Sequence, residues 1–215
     1  MTVMPILATP LGLATLPEAE PLNEELKALF RQRAATDTAA APNPLRYVSR
    51  EDLLEWPDAP VRRLGQNLIG AVYSLVGNTS DLGEAQLRAL KLEARAWFTV
   101  IRANGALPAA NFPMTAWCAI YCVAAPAAVE TRADSGVLRL YESRLSTTFQ
   151  DATTAALRIP YSSSHYAWRP VAGQLLIFPG SLTHEVALLK ADEELILVSA
   201  RLRFVGPGQE GYARW

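Results

Sequence analysis

The stretch Gly173-Gln174-Leu175-Leu176-Ile177-Phe178-Pro179-Gly180-Ser181-Leu182-Thr183-His184-Glu185-Val186, followed after a short loop by Glu194-Leu195-Ile196-Leu197-Val198-Ser199-Ala200-Arg201-Leu202-Arg203-Phe204, decides the fold. It reads as strand, tight turn, strand, loop, strand. Gly173 closes the preceding segment, and Leu175 to Phe178 is an apolar run of strand length. Phe178-Pro179-Gly180 predicts the turn: Pro179 fixes φ and has no N–H for a ladder, and Gly180 tolerates a positive φ. His184 then arrives at the start of the next strand, where an imidazole at a barrel mouth can be rigidly aimed at a metal. In the final run Ile196, Val198, Ala200, Leu202 and Phe204 share one apolar face, expected to pack on a helix. Leu195, Leu197 and Ser199 then face the barrel interior.

Working outward, Leu90 to Val100 alternates apolar residues with Lys91, Glu93, Arg95 and Thr99, the pattern of a half-buried strand. Short strands are predicted at 116–124, 136–142, 166–171, 174–178, 184–189 and 194–205. Upstream, Pro60 opens a helix whose Val61, Leu64, Leu68, Val72 and Leu75 lie on one face, with Gly77-Asn78 at its end. Leu22, Leu26, Leu29 and Phe30 predict another helix over 22–33, with Asn23 as its cap. Ser49-x-x-Asp52 resembles a capping box before a short helical turn. Residues 34–44 read as a loop. Met1 to Leu16 is apolar, lacks a basic n-region and is broken by Pro5 and Pro10, so it reads as an edge strand rather than a signal peptide. Helices followed by mostly antiparallel strands argue for a mainly β, helix-backed jelly roll. The expected division is an extension over 1–44 and a β domain with supporting helices over 45–215.

Twenty basic residues against twenty-one acidic ones, with no Lys/Arg cluster, argue against nucleic-acid binding. No apolar stretch approaches membrane-spanning length. Cys118 and Cys122, on one face of a strand, would have Cα atoms about 13 Å apart at ~3.3 Å per residue, too far to bridge. Reduced core thiols and a cytoplasmic protein are the expectation. With two histidines in the chain, metal chemistry has few addresses.

Pro170, Gly173, Leu175, Phe178-Pro179, Leu182 and His184-x-Val186 together resemble the C-terminal signature of the 2-oxoglutarate/Fe(II) oxygenases, a family built on a double-stranded β-helix (cupin-like jelly roll). The resemblance extends upstream through Trp97, Gly105, Ala119-Ile120-Tyr121-Cys122-Val123, Pro126 and Ser135-Gly136-Val137-Leu138, over roughly 45 to 205. It implies a two-His-one-carboxylate iron site with His184 as the distal histidine. The other two ligand positions then fall on Asn111 and Pro113, neither of which suits iron. The arginine that grips 2-oxoglutarate in the family falls on Leu195. Arg201 and Arg203 share that strand face but lie roughly 20 Å or more away at ~3.3 Å per residue.

Two functions follow as expectations. The first is an oxygenase-like protein that has lost iron and 2-oxoglutarate and serves as a binding or scaffold module, with no cofactor. The second is an active Fe(II) oxygenase with a rearranged ligand set, drawn from His184, His165 and Glu142. His184 is either a surviving ligand or a relic pairing with Glu185 or a backbone carbonyl. His165, among turn formers, reads as a surface histidine unless its loop folds inward. Glu142 and Arg144 are candidate cavity-lining charges, Arg139 or Arg144 the first substitutes for the 2-oxoglutarate arginine. Phe112 is expected to fill space near His184. Trp97, Trp117, Tyr121 and Trp168 line either a pocket or the core. The expected partner is a small molecule or a protein, and the architecture leaves room for a homodimer through residues 3 to 14.

Overall fold

A computed structural model describes residues 8–38, 43–127, 134–141 and 165–206 of the chain. Its elements in order are β1 (Gly12–Thr15), α1 (Ala19–Thr36), β2 (Arg46–Val48), α2 (Ala59–Thr79), α3 (Glu84–Arg88), β3 (Lys91–Ile101), β4 (Leu107–Ala110), β5 (Trp117–Ala124), β6 (Leu138–Tyr141), β7 (His165–Trp168), β8 (Gln174–Pro179), β9 (Thr183–Val186) and β10 (Leu195–Val205). A six-stranded sheet runs β1-β8-β5-β10-β3-β2 and a four-stranded sheet β4-β9-β6-β7. Every ladder between these strands is antiparallel. From β3 onward the chain passes back and forth between the two sheets, so β3 to β10 wind a complete double-stranded β-helix.

The period-two pattern of β10 sorts as its sequence implies. Ile196, Val198, Ala200 and Leu202 join Phe98, Val100, Leu64, Leu68, Val72, Leu26 and Phe30 in a core between the larger sheet and the helices, with Phe204 packed at its margin. Phe30 stacks on Phe98 with ring centroids 4.2 Å apart. Leu195 and Leu197 turn the other way, into a second core inside the barrel with Ile101, Ile120, Leu138, Leu140 and Leu176. The helix layer is wider than helix 59–79 alone, because α1 covers β3 and β5 too. β1 extends the larger sheet beyond β8, pairing Gly12 to Thr15 with Ile177 to Gln174.

Several local expectations are corrected. Gly180 is not in the left-handed region; among the described glycines only Gly136 and Gly173 have positive φ, 64° and 89°. What excludes a side chain at Gly180 is space, since a Cβ there would stand 2.5 Å from the Thr115 carbonyl oxygen. Asn23 does not cap α1, which begins at Ala19; it is buried on the helix flank. Ser49 caps nothing either: its hydroxyl donates to the Arg50 carbonyl and accepts the Phe98 N–H, and only a single 3-10 turn follows, Leu53–Glu55. β2, β4 and α3 carried no readable periodicity because each is five residues or fewer. β9 ends at Val186, after which Ala187 and Leu189 hydrogen-bond to Val137 and Gly105 as loop. Glu142 and Arg144 lie outside the described residues, as does the first part of 3–14. No described helix is long and apolar enough to cross a membrane.

Candidate functional site

His184 and Val186 point from β9 into the barrel, His184 lying between Ala110 of β4 and Leu140 of β6. The His184 Nδ1–H donates to the Leu182 carbonyl at 3.2 Å, which leaves the Nε2 lone pair as the ring's open acceptor. Phe178 covers the imidazole on one side, 5.1 Å between centroids, and Phe112 on another, 5.6 Å. Burial among these rings pushes the His184 pKa below its ordinary value, opposed only by the hydrogen bond to Leu182.

Phe112 is held in place by backbone and ring contacts alike. Its N–H donates to the Gly180 carbonyl at 2.8 Å and its carbonyl accepts the Thr115 N–H at 2.9 Å. The tight approach of Gly180 to Thr115 permits this turn. The Phe112 ring meets Trp97 edge-on at 5.6 Å, and the Arg201 guanidinium lies over it at 5.7 Å while bonding Glu51. Aromatic and cation–π contacts thus fill the barrel mouth beside the one inward-facing histidine of the described residues.

Asn111 and Pro113 flank Phe112 and are both exposed. Proline offers no side-chain donor, and among the described residues no three His, Cys, Asp or Glu side chains converge on a common point. The described residues therefore do not fit the iron triad that the fold family implies. They do not fit 2-oxoglutarate either. Leu195 is 1 % exposed and packs in the aliphatic barrel core, where an unpartnered carboxylate is unfavourable by several kcal/mol. Arg139 points away from that core and bonds Glu185 at 3.0 Å.

The remaining sequence candidates scatter. His165 is exposed on the outer face of the smaller sheet, its ring 5.9 Å from Tyr141, while Tyr166 and Trp168 take the inner face. His165 and His184 hence stand on opposite faces. Glu185 is also outward, accepting from Tyr141 at 2.6 Å as well as from Arg139. Those two bonds hold its carboxyl below the usual range, and His184 is satisfied by a carbonyl instead. Tyr121 faces the helices, donating to Asn23 Oδ1 at 2.6 Å; burial pushes its pKa up to about 12. Cys118 and Cys122 are free, buried and inward, and burial raises both thiols to about 12. The Asn23–Tyr121 pair escaped the sequence reading, although Asn23 shares a helical stripe with Leu26 and Phe30, and a polar residue there signals a buried hydrogen bond.

No curated protein matches the sequence. Solved structures do match in fold. A Pseudomonas putida prolyl-4-hydroxylase aligns with a TM-score of 0.58 at 15% identity, over 91% of this chain and 92% of its own. HygX from Streptomyces hygroscopicus, crystallised with nickel and 2-oxoglutarate bound, aligns at 0.60 and 10%, over 94% and 84%. A Trichoplax adhaerens prolyl hydroxylase in complex with a hypoxia inducible factor peptide aligns at 0.59 and 9%, over 96% and 88%. At such identities the likeness establishes the double-stranded β-helix and nothing about chemistry. The sequence itself matches the model of one family, described as "Putative 2OG-Fe(II) oxygenase", over residues 95–200. Over its strands from Arg95 to Ala200, this chain resembles that family of 2OG-Fe(II) oxygenases in sequence, and it shares the fold of its solved members.

Proposed function

We propose that this protein is an oxygenase-like binding or scaffold module that has given up iron and 2-oxoglutarate. The observation that carries the reading is the Phe112 ring, packed against His184 and Trp97 under Arg201, between Asn111 and Pro113. An active centre needs open coordination positions and a cavity for its co-substrate at that place. The aliphatic surroundings of Leu195 support the same reading, since a dicarboxylate would lose water there without gaining a partner. On this reading the partner is a small molecule or a protein that contacts the barrel mouth or its outer faces.

A second reading, an active oxygenase with a rearranged ligand set, draws on one feature. The Nδ1–Leu182 bond fixes the His184 tautomer that metal-bound histidines use. Elemental analysis of protein purified without added metal separates the two. The proposal expects no stoichiometric iron, and no calorimetric binding of 2-oxoglutarate with Mn(II) at millimolar concentration. Near-stoichiometric iron that vanishes in His184→Ala would restore the oxygenase.

A further inference from the structure

Away from the barrel mouth, a groove of about 430 Å³ opens between the first half of α1 and the end of β5. That volume lies within the usual range for small-molecule sites, which are apolar with a few placed polar groups. Val123, Ala124 and Ala172 supply apolar lining, and Glu20, Asn23, Glu24 and Lys27 the polar groups. Asn23 is 6 % exposed, and its Oδ1 is taken by the Tyr121 hydroxyl. Its Nδ2 sits beside Gly173, 4.0 Å from where a Cβ would stand, and has no hydrogen-bond partner among the described residues. Held in one orientation by the Tyr121 bond and opening on the groove, this donor is available to an acceptor from outside. The next residue, Glu24, is neutralised by Lys27 at 2.6 Å, whereas Glu20, about one turn before Asn23, has no ion pair among the described residues. Residues three apart on a helix are neighbours roughly 5–6 Å apart at Cβ, so a carbonyl on Asn23 and a cation on Glu20 can belong to one small molecule.

We infer that this groove binds a small primary amine carrying a carbonyl acceptor and an apolar body, an amino-acid amide or the like. The Asn23 Nδ2–H donates to the carbonyl, Glu20 pairs with the ammonium, and the apolar body lies on Val123 and Ala172. A free carboxylate in place of the amide is disfavoured by Glu20, unpaired among the described residues. This site is independent of iron and of the barrel mouth.

Titration of the full-length, nitrogen-15-labelled protein with L-leucinamide, followed by NMR, is the test. Saturable shifts at the backbone amides of Val123 to Ala125 are expected at millimolar ligand. Isoamylamine, which lacks the acceptor, and N-acetyl-leucinamide, which lacks the cation, should each bind about tenfold or more weakly. Glu20→Gln, on an exposed side chain, should weaken leucinamide binding without disturbing the fold. The double variant Asn23→Leu with Tyr121→Phe removes the donor while replacing both hydrogen-bonded partners by apolar groups of similar shape, a change that can be nearly neutral for stability; it too should lose the ligand. The inference is overturned if leucinamide gives no saturating shift at these amides, or if both variants bind it as the wild type does.

Discussion

His184 shows how much a single residue's meaning depends on its neighbours. Phe112, Phe178 and the barrel wall desolvate it, so its folded pKa lies below the ordinary value. An unfolded chain therefore holds this proton at a pH where the folded one has lost it. Stability rises with pH wherever the unfolded state binds more protons. The penalty is absent well above about 6.5, the ordinary histidine value, and grows as pH falls through it toward the lower folded value. Chemical denaturation between pH 8 and 5, at round values spanning that about 6.5 midpoint, should show a loss that His184→Gln reduces. Equal slopes in the two proteins would mean that the ring is better hydrated than its packing implies. Leu195 is the second residue-scale case. Restoring the family's arginine alone, Leu195→Arg, should lower stability by about 3 kcal/mol or more, because it buries an unpartnered charge in an aliphatic core. Urea unfolding measures this directly, and a change under about 0.5 kcal/mol would mean that the barrel interior admits water.

At the scale of elements, β10 joins both cores, helix-side through Ile196, Val198, Ala200 and Leu202 and barrel-side through Leu195 and Leu197. Val198→Ala should cost about 1 to 2 kcal/mol through lost burial and the cavity left under the helices. The turn between β8 and β9 responds to a different force. Gly180→Ala would drive a methyl into the Thr115 backbone, so Phe112 must move or the turn must open. A loss of about 2 kcal/mol is expected, with the fluorescence of Trp97 altered because Phe112 rests against it. Were the restriction one of φ instead, a D-alanine at this position would be tolerated, and semi-synthesis distinguishes the two causes.

At the scale of the whole molecule, the barrel, its helical backing and its resemblance to a family were legible before the structure. An alternating pattern such as that of β10 can bury only one face against helices and the other against a second sheet, so period and length dictate the layers. The long helices at 19–36 and 59–79 followed from apolar spacing for the same reason. The site was legible only in part. The family resemblance brought Asn111, Phe112, Pro113, His184 and Leu195 forward, yet faces and partners depend on which strands lie opposite one another. That juxtaposition put His165 and Glu185 on the outer face and His184 within. It turned Tyr121 toward α1, where it meets Asn23 across 98 positions of sequence. It also set Gly180 against Thr115, so that a glycine expected for its φ is required for its size. Local chemistry and periodicity are written in consecutive residues, and these the sequence by itself determined. Which side chains face one another across the barrel arises from packing between strands distant in the chain, and only the tertiary structure decided it.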